Sequence, residues 1–184
     1  MAAASPANAD TPHGFNATGI MYGLNGYPVD SSNDLAVFKG DMMILEVDGN
    51  ITENGGSDAH NVGAAESSTV VSSAVKAILA AATAGTVMVH YHPAQIYYAQ
   101  IDPGAGAVAI NYGENMDIAI THAGNTVTGI SGMELDESTS AASAALVMSV
   151  HGIFNRLDNL IGDHAELRCS VNEHFMNTNV GVGV

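Results

Sequence analysis

Basic side chains are scarce in this sequence, and their scarcity limits what the protein can bind. Four lysines and arginines stand against nineteen aspartates and glutamates among 184 residues, which gives a formal net charge of −15. Nucleic-acid binding depends on neutralising backbone phosphates with Lys and Arg, so we expect no direct nucleic-acid partner. An anionic membrane surface would repel such a chain as well, so we expect no membrane partner.

Cysteine and long apolar runs are also rare or missing. Cys169 is the only cysteine, which excludes an intramolecular disulfide and a metal site built from several thiolates. It falls at an apolar phase of a β-like run, where a small buried side chain is the ordinary role. No apolar run approaches ~18 residues, and the N-terminus lacks the basic and apolar regions of a signal peptide. These absences predict a soluble protein.

Hydrophobic residues make up 47% of the chain, enough for one domain with a sizeable core. We expect an extended N-terminal arm over residues 1–27 and a single β-rich domain over residues 28–184. The last part of the arm is apolar and rich in glycine, which is costly to order alone, so we expect it to lie on a partner. The candidate contact residues are Phe15, Ile20, Met21, Tyr22 and Tyr27. Deleting residues 1–27 should then abolish partner binding and leave the domain folded.

Short apolar runs separated by turn residues predict a mainly β fold. Thr86–Tyr91 and Gln95–Ile101 are two such runs, with a proline between them. In the run 165–171, apolar and polar residues alternate strictly, which is typical of a half-buried antiparallel strand. Many short strands joined by Gly, Asp and Asn turns indicate an antiparallel β-barrel or a jelly-roll-like sandwich, with at most one or two short helices.

Three local predictions accompany this fold class. Asp48-Gly49 is a tight-turn signal, and the run before it places Met43, Leu45 and Val47 on one inward face. Apolar residues at helical spacing predict a short helix between Ala64 and Thr83. The residues 108–112 predict another short strand.

Two histidines introduce an alternative function. His90 and His92 are two residues apart, so they share one face if the chain is extended, and His122 follows downstream. This pattern resembles the cupin family, whose barrel holds a metal on histidines and a glutamate. The sequence departs from the pattern, because Ile96 and Tyr97 stand where the glutamate should follow. A second interpretation places the first two histidines on the solvated face of a strand, and under it we expect no catalytic residues, cofactor or metal.

Ordered motifs along most of residues 14–175 resemble the head decoration (cement) proteins of tailed bacteriophages. In chain order they are Gly14-Phe15, Tyr27-Pro-Val29, Ala36-Val-Phe-Lys-Gly-Asp41, Asp48-Gly-Asn-Ile51, Gln100-Ile-Asp102, Gly113-Glu-Asn-Met-Asp117, Thr128-Gly-Ile-Ser131, Glu134-Leu-Asp136, Val150-His-Gly152, Asn155-Arg-Leu-Asp-Asn159, Gly162-Asp163 and Val171-Asn-Glu-His174. Each motif consists largely of turn residues, and their order carries the resemblance.

The resemblance implies a non-enzymatic, β-rich viral structural protein, often a homotrimer. Such a protein lies on the outer surface of the capsid and clamps neighbouring subunits of the major capsid protein. The same sequence features fit another minor head or tail structural protein of a virion, so that alternative stays open. The cupin-like metal enzyme using His90, His92 and His122 is the alternative from a different functional class.

Overall fold

The computed structural model describes residues 8–69, 77–102 and 112–176, which form two β-sheets. The strands are β1 Asn16–Thr18, β2 Asn25–Val29, β3 Met42–Leu45, β4 Ile51–Glu53, β5 Asn61–Ser68, β6 Gly85–His90, β7 Ile96–Asp102, β8 Asn115–Ala119, β9 Glu134–Ala141, β10 Met148–Ile153 and β11 Glu166–Val171. Within these described ranges the chain contains no helix, and therefore none long and apolar enough to cross a membrane.

The first sheet closes on itself as a five-stranded barrel. The strands follow the order β7, β11, β10, β8 and β9, and β9 returns to β7. Neighbours pair antiparallel, except that β9 meets β7 in parallel, with Leu135 opposite Ile101. The short strand β1 pairs antiparallel with the first residues of β7, on the same edge that β9 pairs with further along, and Asn16 lies opposite Tyr98. Closure removes the open edges that would otherwise expose unpaired backbone groups.

The second sheet has the strand order β2, β6, β5, β3 and β4, and all of its pairs are antiparallel. Adjacent residues on its strands face opposite ways, because the side-chain period of a strand is two. Met42 and Ala64 therefore pack into the barrel core, whereas Met43 and Ala65 pack into a second apolar core. Strands β3 and β5 thus separate two hydrophobic cores and join the sheets into one scaffold.

The predicted fold class is confirmed as mainly β and built on a barrel. Strands β6 and β7 coincide with the two predicted runs around the proline, and β11 shows the predicted alternation. Leu167 and Cys169 are buried in the barrel core, and burial raises the pKa of the Cys169 thiol, as expected for a structural cysteine. The turn at Asp48-Gly49 joins β3 to β4 as predicted.

The short helix predicted between Ala64 and Thr83 is wrong where the chain is described. Ala64 and Ala65 lie in β5 opposite β6, and Leu79 forms a β-bridge with Val37. Extended neighbours use the same apolar residues, and tertiary pairing overrides a weak helical pattern. Residues 70–76, and residues 108–111 of the strand predicted at 108–112, lie outside the described residues.

Val47 also differs from the prediction, because it is exposed rather than inward. Strand β3 ends at Leu45, and the Glu46 N–H donates to the carbonyl of Asn50 (2.9 Å) across the turn. Val47 therefore lies at the tip of that turn, beyond the point where the alternating pattern of the strand still applies.

Part of the predicted N-terminal arm belongs to the folded scaffold instead of extending from it. Phe15 is 1% exposed and belongs to the barrel core, and β2 runs across the predicted boundary between residues 27 and 28. Gly14 makes this insertion possible: its φ is +68°, and a Cβ there would lie 2.7 Å from the carbonyl oxygen of Gly40. Phe15 is buried because its large ring gains more by leaving water than by staying exposed on an arm.

Candidate functional site

The segment 19–24, which connects β1 to β2, carries four exposed large apolar side chains. Ile20 is 71% exposed, Met21 56%, Tyr22 41% and Leu24 40%. The Tyr22 ring stacks on His92 with centroids 4.0 Å apart, which holds one point of the segment against the scaffold. Large apolar side chains exposed close together on a folded domain make this segment a candidate interaction site.

The structure separates the five predicted contact residues into two groups. Ile20, Met21 and Tyr22 lie in the 19–24 segment and are exposed. Phe15 is in the barrel core, and Tyr27 packs edge-on against Phe175 beside the second core. Leu24 was not predicted, although its position among the same glycines and apolar residues was a usable signal.

A cleft of about 330 Å³ lies beneath this segment, and Met21, Leu24, Glu66 and His90 are among the residues that line it. Lys39 Nζ forms an ion pair with Glu66 Oε1. His90 is 5% exposed, which corrects the prediction of a solvated histidine; it faces inward because it pairs with Ala64 in the middle of the second sheet. His90 Nε2 lies 3.5 Å from Glu66 Oε2, outside hydrogen-bond geometry.

The three histidines of the cupin-like alternative lie in three separate environments. His90 is buried beside Glu66, and His92 stacks on Tyr22. His122 Nδ1 donates a hydrogen bond to Glu134 Oε2 (2.9 Å). Among the described residues these histidines do not converge into one metal-ligating group.

A different set of potential ligands does converge in the described part of the chain. Asp10, Glu134 and His164 each contribute one oxygen or nitrogen, and these atoms lie within 4.8 Å of one another. Burial raises the pKa of Glu134, and the hydrogen bond from His122 opposes that rise. We call this set the Asp10–Glu134–His164 cluster. Its members are far apart in the sequence and follow no periodic spacing, so no sequence pattern predicts the cluster.

No protein-family model matches this sequence, and a comparison with curated proteins finds no significant match. The exposed 19–24 segment and the Asp10–Glu134–His164 cluster are therefore the features from which function is inferred.

Proposed function

We propose that this protein is a bacteriophage capsid decoration protein, a non-enzymatic homotrimer on the outer surface of the head that stabilises the major capsid lattice. The observation that carries the proposal is the exposed 19–24 segment, with its four large apolar side chains on a rigid β scaffold. The ordered motifs that resemble the decoration family support it independently.

The segment is well placed to bind a partner at low entropic cost. Strand β1 anchors one end of it to the barrel, and β2 anchors the other end to the second sheet. The Tyr22 N–H also lies 3.4 Å from Gln95 Oε1, which itself belongs to the turn before β7. Anchoring at both ends reduces the conformational freedom that is lost on binding, so more of the apolar contact energy appears as affinity.

The mode of action follows from mass action. A protein that binds only the assembled lattice stabilises that lattice in proportion to its concentration and affinity. The net charge of −15 gives the decorated surface a repulsive exterior, which keeps particles apart in solution. Contact with the lattice then depends on apolar residues, because the chain has few cations to offer an acidic partner.

The test uses full-length protein and expanded heads of the phage that encodes it, purified without the decoration protein. A triple variant, Ile20→Ser/Met21→Ser/Leu24→Ser, removes exposed apolar groups and leaves the strands intact. If these side chains are buried at the lattice, their loss should weaken binding at least about 100-fold in co-sedimentation assays. Heads mixed with the variant should also lose their added heat resistance.

A second triple variant is the matched control. Leu35→Ser/Val47→Ser/Val127→Ser removes three exposed apolar residues elsewhere on the surface and should bind like the wild type. Equal binding by the 20/21/24 variant, or equal loss in the control, would refute the assigned surface. Binding of wild-type protein to tails rather than heads would instead support the alternative of a tail component. Light scattering of the free protein tests the proposed trimer.

A further inference from the structure

The Asp10–Glu134–His164 cluster brings together three segments at one end of the barrel. Asp10 belongs to the N-terminal segment, Glu134 is the first residue of β9, and His164 lies in the turn before β11. Two carboxylates and one imidazole are a mixed oxygen and nitrogen ligand set. Such a set suits divalent transition metals, while Ca²⁺ prefers oxygen ligands alone and Cu⁺ prefers sulfur.

The second observation is that buried side-chain atoms of these residues lack hydrogen-bond partners. Glu134 is 1% exposed, and its Oε1 has no hydrogen-bond partner within the described ranges, although Oε2 is bonded to His122. His164 Nδ1 is also buried without such a partner. Buried polar atoms are almost always paired, so two unpaired atoms in one cluster call for a ligand that is absent from the polypeptide itself.

The distance between the His164 and Asp10 side chains fits two ligands of one metal ion better than it fits a hydrogen bond. His164 Nδ1 lies 3.7 Å from Asp10 Oδ1, which is too long for a hydrogen bond. Two ligands bound to one tetrahedral Zn²⁺ at about 2.1 Å lie roughly 3.4 Å apart. A shift of a few tenths of an ångström would therefore bring these two atoms to the separation of neighbouring ligands.

Hydrogen bonds around the cluster hold its backbone in place. The Gln100 amide donates to the carbonyls of Ala9 (2.8 Å) and His164 (3.0 Å), and its oxygen accepts from the Thr11 N–H (2.9 Å). One side chain of β7 thus fixes the chain on both sides of Asp10 and at His164. These bonds fix the backbone positions from which the Asp10 and His164 side chains extend.

We propose that Asp10, Glu134 and His164 bind one divalent transition-metal ion, with Zn²⁺ as the representative. The ion joins the N-terminal segment to the barrel by ligands from three distant parts of the chain. Water completes the coordination shell, because three protein ligands leave a tetrahedral site one position short. The site does not depend on capsid binding, so either proposal can fail without the other.

The test is Zn²⁺ binding to full-length protein made metal-free with a chelator. Isothermal titration and native mass spectrometry should give one Zn²⁺ per chain, and Zn²⁺ in excess should raise the melting temperature by several degrees. Glu134→Gln keeps the shape of the side chain, and His164→Asn suits the left-handed backbone at that position (φ 57°). Each variant should weaken binding by more than about 100-fold, beyond the usual effect of an outer-shell change.

Two controls remove the same chemical groups elsewhere. Asp34→Asn deletes an exposed carboxylate, and His92→Asn deletes a histidine outside the cluster, so both should bind Zn²⁺ like the wild type. Absence of stoichiometric binding overturns the proposal, as does unchanged binding in both cluster variants. Equal weakening by Asp34→Asn also overturns it, because binding would then be diffuse. If Glu134→Gln fails to fold, Zn²⁺ binding by His164→Asn alone decides whether the proposal stands.

Discussion

Asp41 shows at the scale of one residue how burial changes side-chain chemistry. It is 4% exposed and directly precedes β3, and its Oδ2 accepts a hydrogen bond from the Phe38 N–H (2.6 Å). Burial raises the pKa of this carboxyl to about 7, with hydrogen bonds from Ser131 and the Phe38 backbone opposing the rise. The charged form is therefore disfavoured in the folded state near neutral pH.

This raised pKa predicts a pH dependence of stability. The ordinary pKa is 3.8, so the unfolded chain loses the Asp41 proton well before the folded chain does. The contribution of Asp41 to the free energy of unfolding is fully present below about pH 4. It is lost as the pH rises from about 4 to about 7, and the loss is roughly 4 kcal/mol at most. In Asp41→Asn, urea unfolding between pH 5 and 8 should therefore show a smaller fall in the free energy of unfolding.

The control for this prediction is Asp34→Asn, whose pH slope should equal that of the wild type because Asp34 is exposed. Burial lowers the pKa of His151 and His174, and these groups reduce stability as pH falls below about 6.5. Their effect is common to all three proteins and cancels in the comparison. Parallel slopes for wild type and Asp41→Asn would contradict the prediction.

Among the elements, strands β1 and β2 and the 19–24 segment between them form one continuous stretch of chain. The strands carry the backbone pairing, and the segment between them carries the exposed side chains. This division explains why Phe15 is buried and Ile20 is exposed, although both are apolar residues in the same glycine-rich stretch. Phe15 lies next to a barrel strand, whereas Ile20 lies where pairing stops.

Deleting residues 1–27 should therefore destabilise the protein, contrary to the expectation for a detachable arm. The deletion removes Phe15 from the barrel core, all of β1 and most of β2. Losing one large buried aromatic side chain alone costs about 3–5 kcal/mol, a large share of the stability of an ordinary domain. Thermal unfolding followed by circular dichroism should show a strongly lowered melting temperature or no cooperative transition.

The triple variant Ile20→Ser/Met21→Ser/Leu24→Ser is the comparison for the deletion. It keeps every strand residue, so its melting temperature should stay within a few degrees of the wild type. A deletion variant that melts like the wild type would show that β1 and Phe15 are dispensable. Together the two proteins separate loss of fold from loss of the binding surface.

For the whole molecule, the excess of negative charge is a feature that affects stability. Nineteen acidic residues face four basic ones, and the described ion pairs, such as Lys39 with Glu66, are few. Self-repulsion among like charges destabilises a compact chain. Burial also raises the pKa of Glu53 and Asp117, so further carboxyls resist ionisation in the folded state.

Added salt should therefore stabilise the protein. Raising the ionic strength from 0.01 to 0.15 M shortens the screening length from about 30 to about 8 Å, which weakens repulsion across the molecule. We expect the melting temperature to rise by several degrees in sodium chloride with a chelator present. Choline chloride at the same ionic strength should act equally if screening is the cause; a fall or no change would contradict it.

Local sequence patterns specify several features of this protein. Alternation predicted β11 and the burial of Cys169, and turn residues predicted the hairpin at Asp48-Gly49. Strand β11, the burial of Cys169 and this hairpin follow from side-chain period and turn chemistry, which act over a few residues. Ile20, Met21 and Tyr22 are exposed, and their contact with a partner stays a prediction.

Long-range packing fixes what covers each face of a strand and which distant residues meet. Alternation cannot tell that Phe15 is covered by the barrel, that His90 is buried, or that Val47 lies beyond the end of its strand. The cluster of Asp10, Glu134 and His164 exists because β9 returns to β7 and Gln100 holds two separate chain segments together. Strand order and closure are long-range properties, and no local pattern specifies them.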